Sequence, residues 1–298
     1  MELFVKKFQV LRPKHWMKSG FCLAALFFSF NASNFDAWLL VGPLLVVFSL
    51  IASAGYVLND LTNLKEDRAH PRKRHRAIAS GVLPVWEAIV WLFLVFSLAF
   101  STCYLSYGYG AVFWCCIAYV TINTAYTLLL RRIPLLDLST ISLGFVLRVV
   151  AGAYAIGVQP SEWLMLLTYL LALLLGLGKR QGEVQYLEQT ATTLGKTRSS
   201  LRWYVKAVNA NSLRVVAFVL WLFYVAYCIV VQKGYPFILT AIPVGGALYF
   251  YAAVAATSSD VEAPETMLLR RWPILLSFLV WLMMVVYLMY AGGGMEDL

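Results

Sequence analysis

The chain has 298 residues, of which 61% are hydrophobic and only 13% are charged. Soluble domains average about 45–50% apolar and about 25% charged residues, so this composition excludes an ordinary soluble globule, a disordered chain and a disulfide scaffold. The 24 Lys and Arg outnumber the 15 Asp and Glu, and the net charge of +9 suits nucleic acid, anionic lipid or an anionic substrate. All five cysteines lie in apolar stretches without metal-ligand spacing, which indicates small buried side chains.

Nine apolar runs of near-bilayer length predict an all-α protein with nine transmembrane helices. The runs cover residues 19–31, 37–58, 83–106, 111–130, 138–157, 163–178, 211–231, 236–256 and 273–292. Counts of eight and ten remain open, because the first run is short. That run resembles a signal peptide, but Arg12, Pro13 and Trp16 before it are typical of an interfacial anchor, so we expect no cleavage.

The basic residues sort onto one side of these predicted spans. With the N-terminus in the cytoplasm, every Lys and Arg falls on the cytoplasmic side except Lys233 and the intramembrane Arg148. The positive-inside rule predicts this orientation, and cations scattered over loops between spans exclude a nucleic-acid binder. The longest connections, 59–82 and 179–210, are also cytoplasmic, so we expect the active site to face the cytoplasm.

A polar face is predicted where the second span ends. Asn59, Asn63 and Asp67 are spaced i, i+4 and i+8, and Asp60 precedes Asp67 by seven residues, so all four share one face of a helix. Carboxylate and amide oxygens are ligands that suit Mg²⁺, which one or two carboxylates and substrate phosphates usually hold. Pro71 should end the helix at about His70.

A dense basic run follows this polar face, from His70 through Arg72, Lys73 and Arg74 to Arg76. Cations beside a metal-binding face are what a magnesium-bound diphosphate would need, because the metal takes bridging oxygens and the arginines take the remaining charge. The alternative is a cytoplasmic charge run that obeys the positive-inside rule and touches anionic lipid.

A second charged group closes the sixth span, where Lys179 and Arg180 precede Glu183. It predicts either a second phosphate-binding group or a simple ion pair at the helix end. The fifth span begins at Asp137 and carries Arg148 three turns later on the same face. An intramembrane arginine is costly, so Arg148 should either approach an anionic group or satisfy a structural hydrogen bond. Tyr126 and Asn123 of the fourth span would face the same cavity or simply fill the bundle.

Together these residues resemble the UbiA-type membrane prenyltransferase superfamily, whose first motif is NDxxDxxxD. Here that motif runs from Asn59 and Asp60 through Asn63 to Asp67. Within the superfamily the closer resemblance is to the branch of decaprenyl-phosphate phosphoribosyltransferases. It is carried by LRPKHWMKS at 11–19, DRAHPRKRHRAIASG at 67–81, LLDLSTISLGFVLRVVAG at 135–152 and KRQGE at 179–183.

The resemblance implies one catalytic domain over 1–298, a UbiA-type bundle of nine helices with a central cavity open to the cytoplasm, in the bacterial inner membrane. It implies transfer of ribose 5-phosphate from phosphoribosyl diphosphate to a decaprenyl-type polyprenyl phosphate, with release of diphosphate, for arabinofuranose donors of cell-envelope polysaccharide. Asn59, Asp60 and Asp67 would be catalytic, and with Asn63 they would bind Mg²⁺. The implied substrate contacts are Lys18, Arg68, His70, Lys73, Arg74, Arg76, Tyr126, Asp137, Arg148, Lys179, Arg180 and Glu183.

The sequence departs from the family pattern at three places. Asn63 replaces the second aspartate, Ala77 replaces a proline, and no aspartate lies near Tyr204–Asn211. The main alternative is transfer of a prenyl chain from a prenyl diphosphate to an aromatic or other acceptor, which would need fewer cations. A transporter or lipid flippase is disfavoured, because the polar groups lie at the cytoplasmic ends of the spans. A homo-oligomer remains open.

Overall fold

The computed structural model describes residues 6–69, 73–189, 199–231, 235–257 and 271–291. All regular structure within these ranges is helical, so the all-α prediction is confirmed. The α-helices are α1 (Ala24–Phe28), α2 (Phe35–Thr62), α3 (Leu64–Ala69), α4 (Val85–Tyr107), α5 (Ala111–Leu128), α6 (Leu136–Ala155), α7 (Glu162–Gln189), α8 (Ser199–Ala207), α9 (Ala210–Val230), α10 (Tyr235–Ile238), α11 (Ala241–Thr257) and α12 (Trp272–Val286). Short 3₁₀ turns lie at Gln9–Leu11, Lys73–His75 and Leu130–Arg132, and a π-helical turn lies at Tyr287–Ala291.

Eight helical segments of the described chain are long and apolar enough to cross a membrane, and they coincide with the second to ninth predicted runs. Their outward faces carry large apolar side chains such as Trp86, Phe93 and Trp272, which are all more than half exposed. Such surfaces are costly in water and suit lipid. The chain is therefore a multi-pass membrane protein.

The first predicted run takes a different form. Residues Pro13–Leu23 form an eleven-residue 3₁₀ helix, and the five-residue α1 follows directly. A 3₁₀ helix rises about 2.0 Å per residue against about 1.5 Å for an α-helix, so 13–28 extends roughly 30 Å. The segment includes Lys14 and Lys18, and it is not among the eight apolar spans. By length and composition the described residues therefore contain eight spans, one fewer than the nine predicted.

One compact unit comprises Met1–Arg131 and Leu143–Ser161. Helix α2 is its centre and packs against α4, α5 and the Pro13–Leu23 helix. Polar contacts join the last pair: Trp16 Nε1 donates to Ser53 Oγ at 2.9 Å, and the hydroxyls of Ser19 and Ser49 lie 3.0 Å apart. Gly152 of α6 allows a close approach, because a Cβ there would collide with the backbone carbonyl of Cys22.

The other compact unit comprises Arg132–Ser142 and Glu162–Leu298. Helix α11 packs on α7, α9 and α12, and α8 packs on α7. Its buried core includes Leu138, Leu174 and Leu213, together with the completely buried ring of Tyr204 from α8. Helix α8 is nine residues long and too short to span a bilayer, and its buried Tyr204 anchors it to this core.

Candidate active site

The polar face predicted from the sequence lies at the junction of α2 and α3. The Asn63 amide donates to Asn59 O at 3.1 Å and the Asp67 amide donates to Asn63 O at 2.8 Å, so the i to i+4 repeat continues through the junction. Asp60, Asn63 and Asp67 are buried, and Asn59 is half-buried. Two carboxylates and two amides are thus held on a continuous helical path.

Arg76 joins the two carboxylates. Its Nη1 donates to Asp60 Oδ1 at 3.0 Å and to Asp67 Oδ2 at 2.7 Å, so both oxygens lie within hydrogen-bond reach of one nitrogen. Charge-assisted bonds of this length are among the stronger polar contacts in proteins. The loop is held in place because Ile78 and Leu83 are buried and the Leu83 amide donates to Ala77 O.

Arg12 is a second cation on Asp60, although the sequence pattern predicted only a membrane anchor at this position. Its Nη2 donates to Asp60 Oδ1 at 2.5 Å, and its guanidinium lies 4.6 Å from the ring centre of Tyr56. Its backbone is left-handed, with φ of +51°, which is uncommon for a residue with a side chain. Strained residues concentrate at functional sites, but the available signal was only its place in the LRPKHWMKS motif.

The two asparagines bind each other. Asn63 Nδ2 donates to the backbone oxygen of Asn59 at 2.7 Å and to its side-chain oxygen at 3.0 Å. Asn63 Oδ1 is buried and accepts no hydrogen bond in the part of the chain that the structure describes. It is an oxygen ligand available to a donor or a cation.

These oxygen ligands fit an Mg²⁺ ion whose coordination shell is completed by phosphate oxygens of the substrate. Across the described ranges no three His, Cys, Asp or Glu side chains come together as a metal site. Asp67, Asp60 and the amide oxygen of Asn63 supply fewer ligands than an all-protein site needs. Magnesium commonly takes one or two carboxylates and fills its remaining positions with water and phosphate oxygens.

The rest of the predicted basic run is more exposed. Arg74 Nε donates to His75 Nε2 at 3.3 Å, and Arg68 Nε reaches Ala79 O at 3.4 Å. Lys73 is half-buried beside them, and Lys18 is half-buried in the Pro13–Leu23 helix. The predicted contact His70 lies outside the described residues.

The second charged group lies in the other compact unit, where Arg180 and Asp137 are buried and Glu183 is 27% exposed. Arg180 Nε and Nη2 lie 3.1 and 3.0 Å from Asp137 Oδ2, and Arg180 Nη1 donates to Glu183 Oε2 at 2.7 Å. Tyr204 donates its hydroxyl proton to Asp137 Oδ1 at 2.5 Å and accepts the Leu135 amide at 2.9 Å. Burial, and then the bond to Asp137, raise the pKa of Tyr204 above its ordinary value.

This geometry favours the ion-pair interpretation of the charged group on α7. Arg180, which the resemblance implied to be a phosphate contact, is held between two carboxylates. Lys179 is half-buried one position earlier. Tyr204 was not predicted as part of this group, because its hydroxyl reaches Asp137 across 67 positions of the chain and no local spacing links the two residues.

Arg148 sits in a cage of aromatic rings within the first unit. Its guanidinium lies 5.4, 4.5 and 5.5 Å from the ring centres of Phe48, Tyr119 and Phe145. Its Nη1 donates to Gly144 O at 2.8 Å and its Nη2 donates to the Tyr119 hydroxyl at 2.7 Å. These neutral partners match the structural role that was one of its two predicted roles. Asn123 Nδ2 donates to the backbone oxygen of Tyr119, and Tyr126 is half-buried on the same helix.

Comparison with known proteins defines the class. The model of the UbiA prenyltransferase family matches residues 19–274, so the chain belongs to that family. Its helices also superpose on a UbiA homolog from Archaeoglobus fulgidus bound to GPP and Mg²⁺, with a TM-score of 0.67 over 94% of this chain and 99% of that one. At 15% sequence identity this likeness shows the fold alone.

Two curated relatives are similar over nearly the whole chain, and both are named decaprenyl-phosphate phosphoribosyltransferase. The one from Corynebacterium glutamicum is 30% identical, over 95% of this chain and 86% of its own length. The one from Mycolicibacterium smegmatis is 31% identical, over 92% of this chain and 89% of its own length. Family and relatives together make this chain a membrane transferase.

Proposed function

We propose that this protein transfers ribose 5-phosphate from phosphoribosyl diphosphate to the phosphate of a polyprenyl phosphate, releasing diphosphate. The observation that carries the proposal is the identity of 30% and 31% to named phosphoribosyltransferases over almost the full chain. The pairing of buried carboxylates with a dense run of cations supports it. The product would feed arabinofuranose donors for cell-envelope polysaccharide.

The residues at the α2–α3 junction would hold the metal and the leaving group. Asp67, Asp60 and the oxygen of Asn63 would be the magnesium ligands, with Asn59 orienting Asn63 through its hydrogen bonds. When bound, Mg²⁺ would neutralise the charge that develops on the departing diphosphate. The protein's own task is to align the donor, because a phosphate acceptor is already ionised near neutral pH and needs no strong general base.

Charge distinguishes this donor from a prenyl diphosphate. Phosphoribosyl diphosphate carries a 5-phosphate in addition to its diphosphate, so it needs more cations. Lys73 and Arg74 lie on the same short segment as Arg76, which binds the carboxylates, and Arg68 lies on α3. Lys18, Tyr126 and Lys179 remain predicted substrate contacts.

We further propose the membrane arrangement that the cations indicate. Residues 13–28 would form the first of nine crossings, with the α2–α3 junction and a central cavity on the cytoplasmic side of a bacterial inner membrane. The basic side chains of the N-terminal arm and of 65–76 support this orientation through the positive-inside rule.

A labelled-donor assay tests the reaction. Purified protein in detergent is incubated with Mg²⁺, labelled phosphoribosyl diphosphate and decaprenyl phosphate, and label is counted in the lipid phase. We expect label there, and none when Mg²⁺ is chelated. An unlabelled lipid phase, together with a product from a prenyl diphosphate and 4-hydroxybenzoate, would replace the proposal with prenyl transfer to an aromatic acceptor.

A further inference from the structure

Among the residues that the structure describes, the two carboxylates of the α2–α3 junction are matched by two arginines. Asp60 and Asp67 contribute two negative charges, and Arg12 and Arg76 contribute two positive charges at hydrogen-bond distance. A divalent cation that bound the same carboxylate oxygens would meet a guanidinium already on them. Like charges at such distances repel strongly where water is scarce, so cation and guanidinium compete for these oxygens.

The two arginines are not held equally. Arg12 lies over the ring of Tyr56, and Ser53 Oγ donates to the backbone oxygen of the preceding Leu11 and accepts from Trp16 Nε1. The Arg76 side chain is 28% exposed, against 22% for Arg12, and it reaches the carboxylates from a loop. Arg76 is therefore the arginine that can leave at the smaller cost.

The unused side-chain oxygen of Asn63 also indicates that a cation can replace Arg76 at this site. Asn63 precedes Asp67 by one helical turn, and its Oδ1 is buried without a hydrogen bond in the described chain. Arg76 in its observed place does not satisfy that oxygen. A cation shared between Asn63 and Asp67 would satisfy it, which removes the desolvation cost of an orphaned acceptor.

We propose that Arg76 is an exchangeable counter-cation: it neutralises Asp60 and Asp67 while the metal is away, and it moves to the donor's phosphates when Mg²⁺ takes the carboxylates. The proposal rests on the proposed magnesium-diphosphate site but not on the identity of the acceptor. It makes metal binding weak until a diphosphate arrives to receive the displaced guanidinium. Arg76 thereby couples the binding of the metal to the binding of the donor.

Metal binding without diphosphate gives the decisive test. Mn²⁺ is titrated into the protein in detergent, and free Mn²⁺ is followed by its paramagnetic resonance signal. Arg76→Gln should bind Mn²⁺ roughly tenfold or more tightly than the unmodified protein, because a competing charge is gone. Arg76→Lys should stay weak, since it keeps the charge. Lys7→Gln removes the cation paired with Glu87 in the same unit and should leave Mn²⁺ affinity unchanged.

The outcomes separate this proposal from its neighbours. If Arg76→Gln binds Mn²⁺ no more tightly than the unmodified protein, Arg76 is only a phosphate contact or a structural ion pair, and the exchange is wrong. Should Arg76→Gln fail to fold, tighter Mn²⁺ binding by Arg76→Lys than by the unmodified protein would itself overturn the proposal, and equally weak binding would support it. Tighter Mn²⁺ binding by Arg76→Gln, together with no phosphoribosyl transfer by the unmodified protein in the lipid assay, would retain the exchange and reject the proposed reaction.

Discussion

Two groups of carboxylates and arginines, one in each compact unit, use the same chemistry in opposite surroundings. At the α2–α3 junction, Arg76 is 28% exposed and its partners Asp60 and Asp67 are only slightly so. In the other group, Arg180 is 5% exposed and Asp137 is completely buried. An arginine with access to water can change partners at modest cost, whereas a buried one cannot leave its carboxylate uncompensated. The first group is therefore suited to ligand exchange and the second to holding the fold.

The largest effect should come from breaking the buried group. Arg180→Ala leaves Asp137 buried without its cation, which we expect to lower the free energy of unfolding by about 3–5 kcal/mol. The measurement is unfolding in detergent followed by circular dichroism. Adding Asp137→Asn in the same chain should recover part of the loss, because the stranded charge is gone. Full stability of Arg180→Ala would mean that the two groups do not differ as the exposures indicate.

Activity should respond most strongly to changes at the α2–α3 junction. Asp67→Asn removes a carboxylate that would hold the metal, and we expect phosphoribosyl transfer to fall by about 10²–10³-fold. The lipid-phase label assay measures it. Asp36→Asn alters an exposed carboxylate at the opposite end of α2 and should leave the rate unchanged. Equal rates in Asp67→Asn and Asp36→Asn would exclude Asp67 from the metal site.

A smaller effect on stability is expected at Tyr204. Tyr204→Phe removes a hydroxyl that donates to Asp137 and accepts the Leu135 amide, which should cost about 1–3 kcal/mol of unfolding free energy. The raised pKa of Tyr204 also adds a pH dependence. Its contribution is fully present below its unfolded pKa of about 10 and is lost as the pH rises above that value. Unfolding at pH 8 and pH 11 measures both effects, and Tyr204→Phe should lose less stability between them than the unmodified protein does.

The smallest predicted change restores the family aspartate. Asn63→Asp adds a negative ligand beside Asp67, and we expect the Mg²⁺ concentration for half-maximal activity to fall severalfold. A magnesium titration of the transfer rate measures it. An unchanged titration would show that residue 63 does not bind the metal, and the buried Asn63 oxygen would then not be a metal ligand.

The sequence predicted those features that depend on residues close together in the chain. Long apolar runs predicted α2, α4 and the later spans, and helical spacing alone predicted that Asn59, Asn63 and Asp67 share a face. The contacts that decide the chemistry are not local. Arg12 reaches Asp60 across 48 positions and Arg180 reaches Asp137 across 43, and no periodicity encodes such pairs. The 3₁₀ form of Pro13–Leu23 was also missed, because its apolar residues suit either helix type.

The 3₁₀ geometry of Pro13–Leu23 sets the spacing of its contacts with α2. Three residues of a 3₁₀ helix and four residues of an α-helix both advance about 6 Å. Stepping forward three residues from Trp16 to Ser19 therefore matches stepping back four residues from Ser53 to Ser49. The two strips of side chains stay in phase there, and Arg12, which directly precedes the 3₁₀ helix, contacts Tyr56 and Asp60 farther along α2. A one-residue insertion between Arg12 and Trp16 would shift the arginine out of step with its carboxylate while leaving the apolar character of the segment intact.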